Sequence, residues 1–179
     1  MKLISAIVCS AAVVGTSFLL SGTASAAQVR CVSEGGTDVT LIEERAGCRA
    51  ASDGSGQAHA AGLDGVGYAS AASGARALGI GAAGGVGVSE GSAGIPIAFG
   101  YGSDAVARTT VTTGDPAVSL AVTVALDGSR AQLRTEFGEV VCLGTAALAW
   151  DAATGRGCLA TPFGRWLTPD APSDQPVAE

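Results

Sequence analysis

The sequence predicts a mostly β protein: a glycine- and alanine-rich β-roll or β-solenoid with short flanking strands and hairpins, held by two disulfides. Three observations lead there. Between Asp53 and Gly102, fifteen of fifty residues are glycine, and most of the rest are alanine, serine or valine. Within that tract apolar residues recur at alternate positions, which is the two-residue period of a strand with one buried face. Four cysteines, Cys31, Cys48, Cys142 and Cys158, flank the tract two on each side.

The N-terminus has the layout of an export signal. Lys2 precedes an apolar run from Leu3 to Leu20, and small residues follow from Ser21 to Ala27. This predicts a signal peptide over 1–26, cleaved after Ala26. Ser5, Ser10, Gly15, Thr16 and Ser17 interrupt the run, and no later segment approaches the ~20 apolar residues of a membrane span. No span is expected after cleavage, and Cys9 leaves with the signal. The expected address is secreted, either extracellular or in the cell envelope.

Cleavage leaves 153 of the 179 residues. They are read as a single exported β domain over 27–167 and a proline-rich, acidic, flexible tail over 168–179. Lys2 is the only lysine, so nine arginines then face sixteen acids, a net charge of about −7. Nucleic acid and anionic membranes need clustered cations to displace counterions, so neither is expected as a partner. The chain contains no asparagine, which excludes N-linked glycosylation.

An even number of cysteines in an oxidising compartment reads as two disulfides. Three connectivities are possible. Cys31–Cys48 and Cys142–Cys158 are preferred, because each pair is close in sequence and sits on one flank of the glycine tract. Zinc ligands come in pairs two to four residues apart, and separations of 17 and 16 offer none.

Val39 to Ile42 reads as a short strand, with Glu43-Glu44-Arg45 as its solvated continuation. The tract then gives apolar sets at Ala58/Ala60, Val66/Tyr68, Ala75/Ala77, Val86/Val88, Ile95/Ile97/Phe99 and Ala105/Ala107, each read as a buried face. Their starts are spaced 8, 9, 11, 9 and 10 residues apart, with Gly, Ser or Asp between them. Short strands and tight turns at near-constant spacing mark a roll over 56–107. A Gly/Ser linker would lack such placed apolar residues. Hairpins are expected over 117–160. Val118, Leu120, Val122, Val124 and Leu126 form one strand face, Asp127-Gly128 is a favoured two-residue turn, and the return runs through Ala131, Leu133 and Thr135. Val140–Leu143 and Thr145–Trp150 read as a second pair, with Trp150 and Trp166 capping the core near the second disulfide.

The stretch from Ala69 to Ala82, with its Ala-x-Gly strings, resembles the head repeats of YadA-type trimeric adhesins, which implies a left-handed β-roll. Taken with the paired cysteines, Leu63-Asp64-Gly65-Val66-Gly67, Gly84-Gly85-Val86-Gly87-Val88 and the cysteine-bracketed C-terminal part, most of the mature chain resembles a group of exported actinobacterial proteins of unknown function. That resemblance implies no activity.

Several chemical motifs can be weighed. Gly87-Val88-Ser89-Glu90-Gly91 fits Gly-x-Ser-x-Gly, but a nucleophile elbow needs a strand before it, a helix after it and a later histidine. The one histidine, His59, comes earlier and is expected to be a half-exposed roll residue. Gly84 to Glu90 resembles one calcium-binding nonapeptide, with Ser89 where an aspartate ligand belongs. The acids of the tract are Asp53, Asp64, Glu90 and Asp104, too few for stacked calcium turns. The missing lysine rules out a Walker loop. No catalytic, metal or cofactor residues are assigned, and the partner is left as an envelope component or another protein. The expected function is a non-catalytic structural or adhesive protein of the envelope or medium. The alternative is a small secreted hydrolase using acidic residues.

Overall fold

The computed structural model describes residues 26–112 and 119–168. The expected signal peptide up to Ser25, Val118 of the expected first hairpin strand, and the expected tail from residue 169 lie outside the described residues. What is described is a two-sheet β-solenoid of about four turns. Its strands are β1 (Gln28–Glu34), β2 (Asp38–Glu43), β3 (Ala46–Ser52), β4 (Gln57–Leu63), β5 (Val66–Ala72), β6 (Arg76–Ala82), β7 (Val86–Ser92), β8 (Ile95–Tyr101), β9 (Val106–Thr112), β10 (Leu120–Leu126), β11 (Arg130–Arg134), β12 (Glu139–Leu143), β13 (Ala147–Asp151), β14 (Gly157–Thr161) and β15 (Gly164–Leu167).

From β3 to β11 the chain alternates between two sheets, so each strand pairs in parallel with the strand two places on. The first sheet runs β1-β4-β6-β8-β10-β13-β14-β15 and the second β12-β11-β9-β7-β5-β3-β2. Val66, Val86 and Val106 stack in the second sheet, one coil every 20 residues. The 8-to-11-residue spacing in the sequence is therefore half a coil. Antiparallel strands close both ends, β1 and β2 at one, β12 and β13–β15 at the other.

The interior is made of very small residues. Ala69, Ala71, Ala77, Ala98, Ala107 and Ala125 are buried there, together with the hydroxyls of Ser89, Thr109 and Thr123. Glycines fill much of the rest, because over much of their area the sheets approach until backbone meets backbone. A Cβ on Gly79 would fall 1.8 Å from the carbonyl oxygen of Tyr68, and one on Gly87 2.0 Å from that of Ile80. Ordinary sheet packing leaves about 10 Å for interdigitating side chains. Here alanine, serine and glycine predominate between the strands, and the larger fully buried side chains, Pro96, Thr109, Val111, Thr123 and Leu133, all come from β8–β11.

This closeness reverses several expected faces. Val66/Tyr68, Val86/Val88 and Ile95/Ile97/Phe99 point outward, while Gly67, Gly87, Ser89, Pro96 and Ala98 point in. In β10 the buried residues are Ala121, Thr123 and Ala125, not the valine and leucine face. The sets Ala58/Ala60, Ala75/Ala77 and Ala105/Ala107 do face the core.

The hairpins are also corrected. Asp127 and Gly128 both take positive φ, 48° and 72°, and Ser129 N donates to Leu126 O at 3.0 Å, so the two-residue turn forms. It joins different sheets: β10 pairs with β8 and β13, and β11 with β9 and β12. Ser73-Gly74 and Ala83-Gly84 make the same turn at other corners. A two-residue turn reverses the chain equally well into a partner strand or across to a facing sheet, and the coil stack decides which. For the same reason β12 and β13 are not a pair. Parallel coiling thus extends from β3 to β11, beyond the 56–107 expected.

Cys31–Cys48 and Cys142–Cys158 form as expected, each with Cα atoms 5.8 Å apart. The first joins β1 to β3, the second β12 to β14. Each staple therefore crosses between the sheets at one end of the solenoid.

Candidate functional site

Because the interior takes small residues, the large apolar ones are displayed, and the register aligns them in ranks across the first sheet. One rank holds Val32, His59, Leu78, Ile97, Val122 and Trp150. The next holds Arg30, Ala61, Ile80, Phe99, Val124, Leu148, Leu159 and Trp166. A third holds Leu63, Ala82, Tyr101 and Leu126. The charges on this face, Arg30, Glu34 and Arg76, stand at its N-terminal border.

Trp150 and Trp166 belong to this outer surface, 41% and 52% exposed, so they do not cap the core. With Leu148 and Leu159 they line a shallow hollow of ≈ 240 Å³. A second hollow, ≈ 340 Å³, lies among Arg30, Val32, His59, Leu78 and Ile80.

The outer face of the second sheet differs. One rank there runs Arg49, Tyr68, Val88, Arg108 and Gln132, another runs Val66, Val86, Val106 and Arg130, and Glu90 stands beside Thr110 in a third. Arg49 donates from Nε and Nη2 to Asp38 at 3.1 and 2.7 Å, and this contact lowers the Asp38 pKa. An apolar hollow of ≈ 320 Å³ opens on this face where Gly47 leaves a gap between Ile42 and Val66.

The residues weighed for chemistry are dispersed. Ser89 sits in mid-strand β7, buried, with its hydroxyl donating to the carbonyl of Pro96 at 2.7 Å. It is on no elbow, and His59 is exposed on the other sheet. Glu90 faces outward on β7, while Asp53, Asp64 and Asp104 stand at corners. Asp53 braces two coils: its carboxylate accepts from the backbone of Ser73, Ser55 and Gly56 at 2.7–2.8 Å and from the Ser55 hydroxyl at 2.9 Å. Those donors hold its pKa far below the usual carboxylate range. Among the described residues no group of three or more His, Cys, Asp or Glu side chains is placed to hold a metal ion. No helix among them is long and apolar enough to cross a membrane. Ala26, the expected cleavage residue, is exposed just before β1.

Sequence reasoning missed the displayed face, although a signal was present. Gly67-Ala69-Ala71 and Ala77-Gly79-Gly81 alternate as regularly as the bulky residues do. Around these strands, β4 to β8, the corners hold only two or three residues and cannot separate two sheets widely, so the small set had to be the inner one there.

A family model described as Family of unknown function (DUF6764) matches residues 1–161. No curated protein and no solved structure matches the chain.

Proposed function

Since the chain belongs to this family of unknown function, DUF6764, and membership assigns it no activity, we propose on the geometry that it is a non-catalytic exported scaffold. It works by presenting the flat apolar face of its first sheet, in the cell envelope or the medium. The observation that carries this reading is the run of bulky apolar residues across successive ranks of the first sheet's outer face, where the second sheet's outer face mixes its Val66, Val86 and Val106 rank with arginines and acids. Two disulfides accord with an oxidising, extracellular setting. The likeness of residues 69–82 to adhesin head repeats supports the same role. Against a hydrolase stand the scattered acids and the occupied hydroxyl of Ser89.

Fractionation of the producing cell tests it. The protein carrying Phe99→Glu and Val124→Glu is expected to leave the envelope fraction, or to lose its biological effect if it acts in the medium. Glu90→Gln with Asp104→Asn, two of the tract's acids that lie off this face, is expected to change neither. The opposite pattern would replace the scaffold with an enzyme.

A further inference from the structure

We propose that the apolar face of the first sheet pairs with the same face of a second copy of this chain, giving a two-fold dimer. This rests on the scaffold reading and names the partner.

Size comes first. Eight strands about 4.8 Å apart and roughly six residues long cover about 35 by 20 Å, or roughly 700–800 Å² per copy. A stable protein–protein interface needs about 800 Å² from each partner. The available face is therefore the size of a dimer interface, and it is a regular sheet whose surface can lie against another at the small angle usual for stacked sheets.

Shape and charge then select the arrangement. A two-fold axis lying in the interface along the strands, between β8 and β10, preserves each rank and reverses the strand order. Phe99 then meets the partner's Val124, and Ile97 the partner's Val122. The reversal seats a large residue over a small one at two of its pairs. Ala61 lies against the partner's Leu159, and His59 against the partner's Gly157. Arg30 arrives over the partner's Trp166, a favourable cation–aromatic contact. The dimer places charge only at its border, although each mature copy carries a net charge of about −7. A lipid surface is the weaker occupant, because the mature chain brings no lysine and only Arg30 and Arg76 as basic residues on this face.

Sedimentation equilibrium of the exported, oxidised protein tests the pairing. The expected mass is twice that of one chain at micromolar concentration. Phe99→Glu with Val124→Glu is expected to give the single-chain mass with an unchanged circular dichroism spectrum, and Val88→Glu on the second sheet to remain double. Should the double variant not fold, Leu159→Arg on the capping strand gives the same reading. A wild type of single-chain mass overturns the dimer, as does a dimer untouched by the first-sheet variants. Binding of a monomeric wild type to neutral phosphatidylcholine vesicles would assign the face to lipid instead. A monomer that still needs Phe99 and Val124 for envelope retention leaves the scaffold reading standing, so the two claims fail separately.

Discussion

The backbone nitrogen of Ala27 donates to the Asp64 carboxylate at 3.1 Å, and Asp64 N donates back to Ala27 O at 2.8 Å. Ala27 is the expected first residue of the exported chain. Cleavage after Ala26 turns that amide into an ammonium group already seated on a carboxylate, and charge-assisted hydrogen bonds are roughly twice as strong as neutral ones. The form beginning at Ala27 is expected to be more stable than one retaining Ser25-Ala26, by about 1 kcal/mol. Asp64→Asn should remove most of the difference. Thermal melts of the four proteins measure it, and equal midpoints for the two wild-type forms would remove the claim.

Ala77 is buried and its neighbour Arg76 points outward. Ala77→Leu inserts bulk between sheets that have no room, at a cost of about 1–3 kcal/mol. Arg76→Leu should cost much less. Urea unfolding curves decide between them, and an unchanged midpoint for Ala77→Leu would mean the inner face is looser than described.

Two glycines separate crowding from backbone strain. Gly74 has φ +81° and open space around a Cβ, so Gly74→Ala should cost about 1–2 kcal/mol from the left-handed conformation alone. Gly79 has ordinary φ, but its Cβ would collide with the Tyr68 carbonyl. Gly79→Ala should therefore destabilise more than Gly74→Ala, with loss of strand signal in circular dichroism. The reverse order would place the strain at the corners.

Asp53 gives a pH signature. Its pKa is depressed in the folded chain by the donors from Ser73, Ser55 and Gly56. The stabilisation is fully present above the unfolded value of about 3.9 and is lost as pH falls toward the folded one. Wild type should melt above Asp53→Ala at pH 7, and the gap should narrow progressively below pH 4. A gap that stayed constant into acid would show that the carboxylate's charge is not what braces the two coils.

Each disulfide should guard its own end. Loops of 17 and 16 residues are worth roughly 3 kcal/mol each in the chain-entropy model. Cys142→Ala with Cys158→Ala is expected to speed amide exchange in β12–β15 first, and Cys31→Ala with Cys48→Ala in β1–β3. Uniform acceleration along the solenoid would mean that the caps and coils unfold as one.

The half-coil period, the cysteine pairing and the mostly β class were legible in the sequence because each is a local spacing. Orientation and pairing were not. Whether Val122 or Thr123 faces inward depends on how near the opposing sheet lies, and that distance is set by corners and by residues a full coil away. Asp127-Gly128 likewise specifies a turn but not which strand lies beyond it. The displayed face was hidden for the same reason, since alternate valines and leucines are elsewhere the mark of a core.

Val66 and Val86 each follow a glycine and occupy the same place in successive coils. Excising 66–85 would join Gly65 to Val86 and bring β4 beside β8 with both caps untouched. A protein of this build is a gauge, shortened or extended one strand-width at a time, about 4.8 Å per coil. Its lineage can adjust the breadth of what it presents by duplication or loss of a whole unit, without redesigning the ends.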